Sequence, residues 1–305
     1  MSEERTAFFR DPVHDGAADP TIIFNEQEKQ WWMVYTNRRA DAPGAGVSWV
    51  HGTDLGAASS KDGVHWTYRG VLQGLAVEPG RNTFWAPEII RHEGIYHMYV
   101  SYIQGVPDEW AGHLRQILHY TSANLWDWTY QSTLELSSEK VIDAAIATLP
   151  DGRFRMWYKD EVNHSHTYAA DSTDLYSWKV VGPVITEFPH EGANVFVWKE
   201  SYWLIVDSWA GQVMYKSEDG EAWEKQTTIL TENGVLEDDQ GPGLHADVLV
   251  HEGRAIIYYF THPSWRRGLS QNTYETRRSS ILAAELVLTH GKLTCPRQTN
   301  IRVLT

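Results

Sequence analysis

The sequence predicts an all-β fold: a five-bladed β-propeller with four-stranded blades around a central axis, one domain over residues 1–305. Three observations carry this expectation. A turn pattern, S-x-[DN]-x-x-x-W, occurs as SKDGVHW from Ser60, SANLWDW from Ser122, STDLYSW from Ser172 and SEDGEAW from Ser217. A hairpin of two apolar strands around a short polar turn occurs five times. The hairpins start at Asp19, Ala86, Asp143, Gly192 and His245, which are 67, 57, 49 and 53 residues apart, a spacing that suits one blade each.

The elements follow in order. DPTIIFNEQEKQWWMVYT opens blade 1, APEIIRHEGIYHMYVSY blade 2, DAAIATLPDGRFRMWYK blade 3, GANVFVWKESYWLIVDS blade 4 and HADVLVHEGRAIIYYFT blade 5. The first strand of each is almost continuously apolar, as expected of a strand buried on both faces. In blades 1–4 the Ser-to-Trp turn comes next. Its Asp or Asn caps the backbone, and its Trp starts the following strand and fills the gap between sheets. Blade 5 lacks the turn. Its outer strands are expected in SSILAAELVL and KLTCPRQTNIRVL, with N-terminal residues helping to close the ring. A two-sheet sandwich is the rival fold, but it leaves the repeat spacing unexplained.

Composition excludes several functions. A net charge of −14 argues against nucleic acid or an anionic membrane as partner. The basic stretch SWRRGLSQNTYETRRSS near residue 270 is too sparse to reverse this and reads as a solvated loop. Cys295 is the only cysteine, so neither an intrachain disulfide nor a thiolate zinc site is expected. The opening residues show no basic segment followed by an apolar run, and no apolar run approaches the roughly 18–20 residues of a membrane span. The expectation is a cytoplasmic protein, with a secreted form not excluded. Fifteen Trp and fifteen Tyr suit stacking on sugar faces. Homo-oligomerisation stays open, with Phe8 and Phe9 as residues that would dock on a neighbour.

Equivalent positions of the first strands converge at one end of a propeller axis. The alignment therefore gathers Asp19, Asp143 and His245, and, one residue earlier in their strands, Trp85 and Glu191. Crowding three carboxylates costs stability through repulsion and desolvation, a cost tolerated at functional sites. Two such groups roughly 6.5–9.5 Å apart can hydrolyse a glycosidic bond with inversion, one as base toward water and one as acid toward the leaving oxygen. A third beside the acid raises its pKa. An oligosaccharide is the expected substrate, with no organic cofactor.

Taken in order, ADPTII, FWAPEI, IDAAI, HEGANVF and GPGLHADV resemble the blade signatures of family 43 glycoside hydrolases and their five-bladed relatives. The resemblance spans about residues 15–290. It implies an inverting glycosidase with Asp19 as general base, Asp143 orienting and tuning the acid, and Glu191 as general acid. Trp85 would form part of the substrate wall. His245 would sit where many relatives place a water-coordinated calcium ion, a structural cation on the axis. An exo mode on short oligosaccharides is preferred. Ala144 and Ala193 stand where such relatives often carry Pro, and Asp247 is an extra acid that would alter or recruit a metal.

His190, directly before Glu191, resembles instead the family 117 branch, the 3,6-anhydro-L-galactosidases, in which a histidine donates the proton. In that reading His190 is the acid and Glu191 supports it. Glu88 and Asn194, within the blade signatures, and His51 and Asp54, in HGTDLG, are further candidates for substrate contact. His14 and Asp15 are candidates for the pocket rim, and the long blade 2 loop with Trp110 and His113 for a cap. Three rival functions are weighed. A non-catalytic carbohydrate-binding propeller leaves the carboxylate trio without a role. A sialidase needs an arginine triad and six blades. A mannoside phosphorylase needs a basic phosphate pocket.

Overall fold

The computed structural model describes residues 4–5, 8–265, 272–297, 301–302 and 304. Five four-stranded antiparallel sheets form the blades. Blade 1 holds Ala17–Asn25, Gln30–Asn37, Asp54–Ser60 and Thr67–Val71, and blade 2 holds Thr83–His92, Ile95–Ile103, Gln116–Ser122 and Thr129–Thr133. Blade 3 holds Val141–Thr148, Phe154–Asp160, His166–Ser172 and Lys179–Ile185, and blade 4 holds Glu191–Trp198, Ser201–Asp207, Gln212–Ser217 and Glu224–Ile229. Blade 5 runs Leu244–His251, Arg254–Thr261, Ser280–Glu285 and finally Phe8–Phe9. The first strand of every blade packs against the first strands of its two neighbours, which closes the ring.

All five inner strands share one irregularity. Two residues face one on the second strand immediately after Ala18, Trp85, Ile142, Glu191 and Leu244. These bulges begin at Asp19, Ala86, Asp143, Gly192 and His245, the five positions equivalent in sequence. Asp19, Ala86, Asp143 and Gly192 take positive φ, between 45° and 59°. At Gly192 a Cβ would also come within 2.8 Å of the His245 ring. A bulge breaks the strict alternation of side chains and re-aims one of them, here toward the axis. It also takes an N–H out of the ladder, and in four cases the preceding blade supplies the acceptor. Thr36 Oγ1 accepts from Ala86 N (2.8 Å), Ser101 Oγ from Asp143 N (2.9 Å), Asp143 Oδ2 from Gly192 N (3.0 Å) and Asp207 Oδ2 from His245 N (2.7 Å). The bulges thus orient the axial side chains and tie blade to blade.

In blades 1–4 the Ser-to-Trp turn joins the third strand to the fourth. In each, the Ser hydroxyl donates to the Asp or Asn oxygen, which accepts two backbone N–H groups further on, as at Asp62 from Val64 and His65. The same set recurs at Asn124, Asp174 and Asp219. The tryptophans pack toward the preceding blade. Trp66 meets Tyr258, Trp178 meets Tyr99 and Trp223 meets Trp157, while Trp128 is buried with residues of blades 1 and 2.

Blade 5 differs from the expectation. Its outermost strand is Phe8–Phe9, paired with Leu282 and Ile281. Phe9 is buried in the core between blades 5 and 1, so these aromatics close the ring and are not a free docking surface. Lys292–Thr294 pairs with Val287–Thr289 in a separate hairpin whose Leu288 and Leu293 pack where a turn Trp would. Ile301–Arg302 pairs with Glu4–Arg5. The basic stretch lies partly outside the described residues, and its later part makes one helical turn, Tyr274–Arg277. No described helix is long and apolar enough to cross a membrane.

Candidate active site

The bulges deliver their side chains to the floor of a pocket of about 730 Å³ at one end of the axis. Asp19, Asp143, Glu191 and His245 all line it, from blades 1, 3, 4 and 5, with Trp85 from blade 2 in the wall. Arg38, just past the second strand of blade 1, donates from Nη2 to both Asp19 oxygens (3.1 and 3.2 Å) and lies over the Phe260 ring. His245 Nδ1 is 3.6 Å from Asp19 Oδ1. Asp143, by accepting from Gly192 N, holds the backbone directly after Glu191. Lys159 Nζ donates to Glu191 Oε2 (3.0 Å) and lies 3.2 Å from Glu161 Oε1. Asp207 accepts from Trp209 N and His245 N, both at 2.7 Å.

The electrostatics follow from this packing. Burial raises the Asp143 pKa, with Glu191 and Asp19 adding to the shift and His245 opposing it. Burial and the Glu191 charge push Asp207 up to about 7. Burial would do the same to Glu191, but the Lys159 ammonium outweighs it and the pKa falls. Burial disfavours a charged His245, yet Asp143, Asp19, Glu191 and Asp207 together raise its pKa. The surrounding carboxylates thus favour a proton on His245.

That bears on the expected calcium. Among the described residues no three His, Cys, Asp or Glu side chains form a cluster able to hold an ion. Asp247 is already engaged, accepting from Asn194 Nδ2 (2.8 Å) and Ile22 N (2.7 Å). The donor set does not fit an ion held directly by several side chains, which leaves His245 as the axial side chain that would meet a water-coordinated one.

Other expected residues fall elsewhere. His190 is buried behind the strand, outside the pocket lining. Its Nδ1 bonds the Phe188 carbonyl (2.7 Å), so the Thr167 hydroxyl donates to Nε2 (2.6 Å). Burial lowers its pKa to about 4, and it stays neutral. Glu88 and Asn194 lie outside the pocket lining and tie inner strands together. Glu88 accepts from Ile146 N (2.9 Å), while Asn194 bonds Asp247 and Val248 N. Asp54 is exposed and 3.5 Å from Arg81. His51 is buried beneath Trp85 and Trp110, supporting the wall from behind. His14 pairs with Asp41, and Asp15 accepts from Arg10 and Tyr274, away from the lining. The blade 2 loop does reach the pocket, through Trp110 and His113.

Six charged lining residues lie outside the sequence expectation: Arg38, Arg115, Lys140, Lys159, Glu161 and Asp207. Pairing register holds a signal for most of them. The start of an inner strand lies opposite the end of the second strand, as Glu191 opposite Asp207 and Val141 opposite Asp160. Charged residues ending second strands, in YTNRR, WYKDE and LIVDS, therefore belong to the same mouth.

The sequence pattern of Glycosyl hydrolases family 43 matches residues 9–174, just over half the chain. The chain belongs to this family. No curated protein matches the sequence. Among solved structures, a thermostable family-43 glycoside hydrolase is 17% identical, with a TM-score of 0.70, over 94% of this chain and 95% of its own. RS223 β-xylosidase is 14% identical, with a TM-score of 0.72, over 98% and 99%. CoXyl43, a β-xylosidase/α-arabinofuranosidase from a compost microbial metagenome, was solved with xylotriose in a calcium-free form; it is 15% identical, with a TM-score of 0.70, over 97% and 99%. This family-43 chain is a glycoside hydrolase with the family's propeller fold.

Proposed function

We propose that the protein is an inverting, exo-acting glycosidase of short oligosaccharides, with Asp19 as general base and Glu191 as general acid. The observation that carries the reading is the arrival of Asp19, Asp143 and Glu191, from three blades, on the floor of one walled pocket. Asp19, oriented by Arg38, takes a proton from water as the water oxygen bonds to the anomeric carbon. The bond to the leaving oxygen breaks, and that oxygen receives the Glu191 proton. Solvent exchange then resets both carboxyls. Asp143 is a positioning residue through Gly192 N, and its negative charge favours the protonated acid. Lys159 opposes that protonation, so the pair with Glu191 must loosen in the reactive complex. The aromatic lining, Trp49, Trp85, Trp110, Trp209, Phe260 and Trp265, supports a pocket for a chain end.

Hydrolysis of aryl glycosides and of xylan, arabinan and agar oligomers, followed by NMR of the first-formed anomer, tests the reading. Inversion with release of terminal sugars is expected. Retention, or turnover unaffected by Asp19→Asn, would overturn it.

A further inference from the structure

One wall of the pocket is more cationic than cleavage of a neutral sugar requires. Arg115, Lys140 and Lys159 line it together, with His113 beside them. Their backbones are locked at the seam between blades 2 and 3. Arg115 N donates to Glu139 O, Val141 N to Arg115 O and Glu161 N to Lys140 O. Glu161 is shared between the Arg115 guanidinium and the Lys159 ammonium. Lys140 has no carboxylate within ion-pair distance among the described residues, and the His113 ring makes no hydrogen bond there. Arg115 is buried, and its Nε–H has no acceptor among the described residues.

The charge balance depends on the state of the acid. With Glu191 ionised, three cations face three carboxylates, Glu161, Asp143 and Glu191. With Glu191 carrying the proton it must donate, the same three cations face only Glu161 and Asp143. The reactive state thus leaves this wall with an uncompensated positive charge in a partly desolvated pocket. An anion placed there would balance it. It would also compete for Lys159 and so loosen the ammonium's hold on Glu191, helping the acid to keep its proton.

Resting on the glycosidase reading above, we propose that the substrate is an acidic glycoside, whose negatively charged substituent is read by Arg115, Lys140 and Lys159. Carboxylate and sulfate esters share the required chemistry. The unpaired Lys140 is the specificity-determining residue, because its ammonium is free to meet the substituent without breaking an existing pair.

Binding tests this independently of turnover. Calorimetry on the full chain carrying Asp19→Asn compares D-glucuronate and D-glucose 6-sulfate with D-glucose, with inorganic phosphate as competitor. At least one charged sugar should bind about tenfold more tightly than the neutral one, as expected for a charge-assisted bond. Raised salt should weaken that preference, and phosphate should compete with the charged sugar. In Lys140→Met the charged-to-neutral ratio should fall toward one, and in Lys140→Glu below one. Equal affinities in the parent, or a preference that survives both substitutions, would overturn the inference. Hydrolysis of neutral glycosides with inversion would leave the glycosidase reading standing in that event.

Discussion

The turn aspartates and the axial carboxylates use one functional group in opposite ways. At Asp174 and Asp219, backbone N–H groups of the same turn satisfy the ionised side chain and lower its pKa. At Asp62 partial burial pushes the other way, but bonds from His65, Val64 and Ser60 outweigh it and bring the value to about 2. On the axis, Asp143 and Asp207 are buried beside other carboxylates, and burial raises them. The turns collect donors for each acid from within a few residues. The floor assembles acids from blades far apart in sequence and leaves their charges in mutual conflict. Stability resides in the first arrangement, and reactivity in the second.

The largest effects should separate the two regions. Glu191→Gln and Asp143→Asn are expected to lower kcat by about 10²–10⁴-fold, whereas Asp62→Ala should leave kcat near its parent value. Stability should run the other way. Asp62→Ala removes a capping oxygen and should cost about 1–2 kcal/mol. Asp143→Asn keeps an acceptor for Gly192 N and removes a disfavoured charge, so its melting temperature at neutral pH should equal or exceed the parent's. The signs follow from linkage. A depressed acid such as Asp62 adds stability that is present above its unfolded value near 4 and is lost as pH falls toward about 2. A raised acid such as Asp207 erodes stability as pH climbs from near 4 to about 7. Melting curves across pH check both. An Asp143→Asn protein as destabilised as Asp62→Ala would break the comparison.

A smaller effect should come from the ion pair at the acid. Lys159 lowers the Glu191 pKa, so the protonated acid is lost at lower pH than burial alone would set. Lys159→Met should move the alkaline limb of the kcat/KM profile to higher pH. The shift should be absent in Glu191→Gln. An unchanged limb would mean that another group supplies the proton.

The fold was legible because each blade writes its signature locally: an apolar strand, a turn, and a Trp at fixed distance from a Ser. Asp19, Asp143, Glu191 and His245 were legible for the same reason, since repeat register fixes where the bulges fall. Asp54, Glu88, Asn194 and His51 were misplaced because proximity in sequence to a motif says nothing about facing. After a bulge the strand regains its alternation, and Glu88 and Asn194 bond neighbouring inner strands instead of lining the mouth. Closure of blade 5 by Phe8–Phe9 was only partly visible, because two residues carry too little pattern to show which strand they join. The paired cations escaped notice because Arg115 and Lys159 reach the site from a loop and a second strand, outside the aligned positions.

Among the residues near the acid the smallest effect on rate is expected at His190, and there the histidine reading of the acid meets its sharpest test. Its two ring nitrogens are spent on Phe188 and Thr167, and its pKa of about 4 leaves it neutral at the pH where a histidine acid would need its proton. His190→Gln should keep the alkaline limb of kcat/KM in place and change kcat far less than Glu191→Gln does. It should instead cost about 1–3 kcal/mol of stability, as is usual when a buried hydrogen-bonding group loses its partner. That result would place His190 with the turn aspartates, among residues whose polar atoms are satisfied locally and serve the fold. A loss of rate equal to that of Glu191→Gln, with a displaced alkaline limb, would move it to the axial group and return the proton to the histidine.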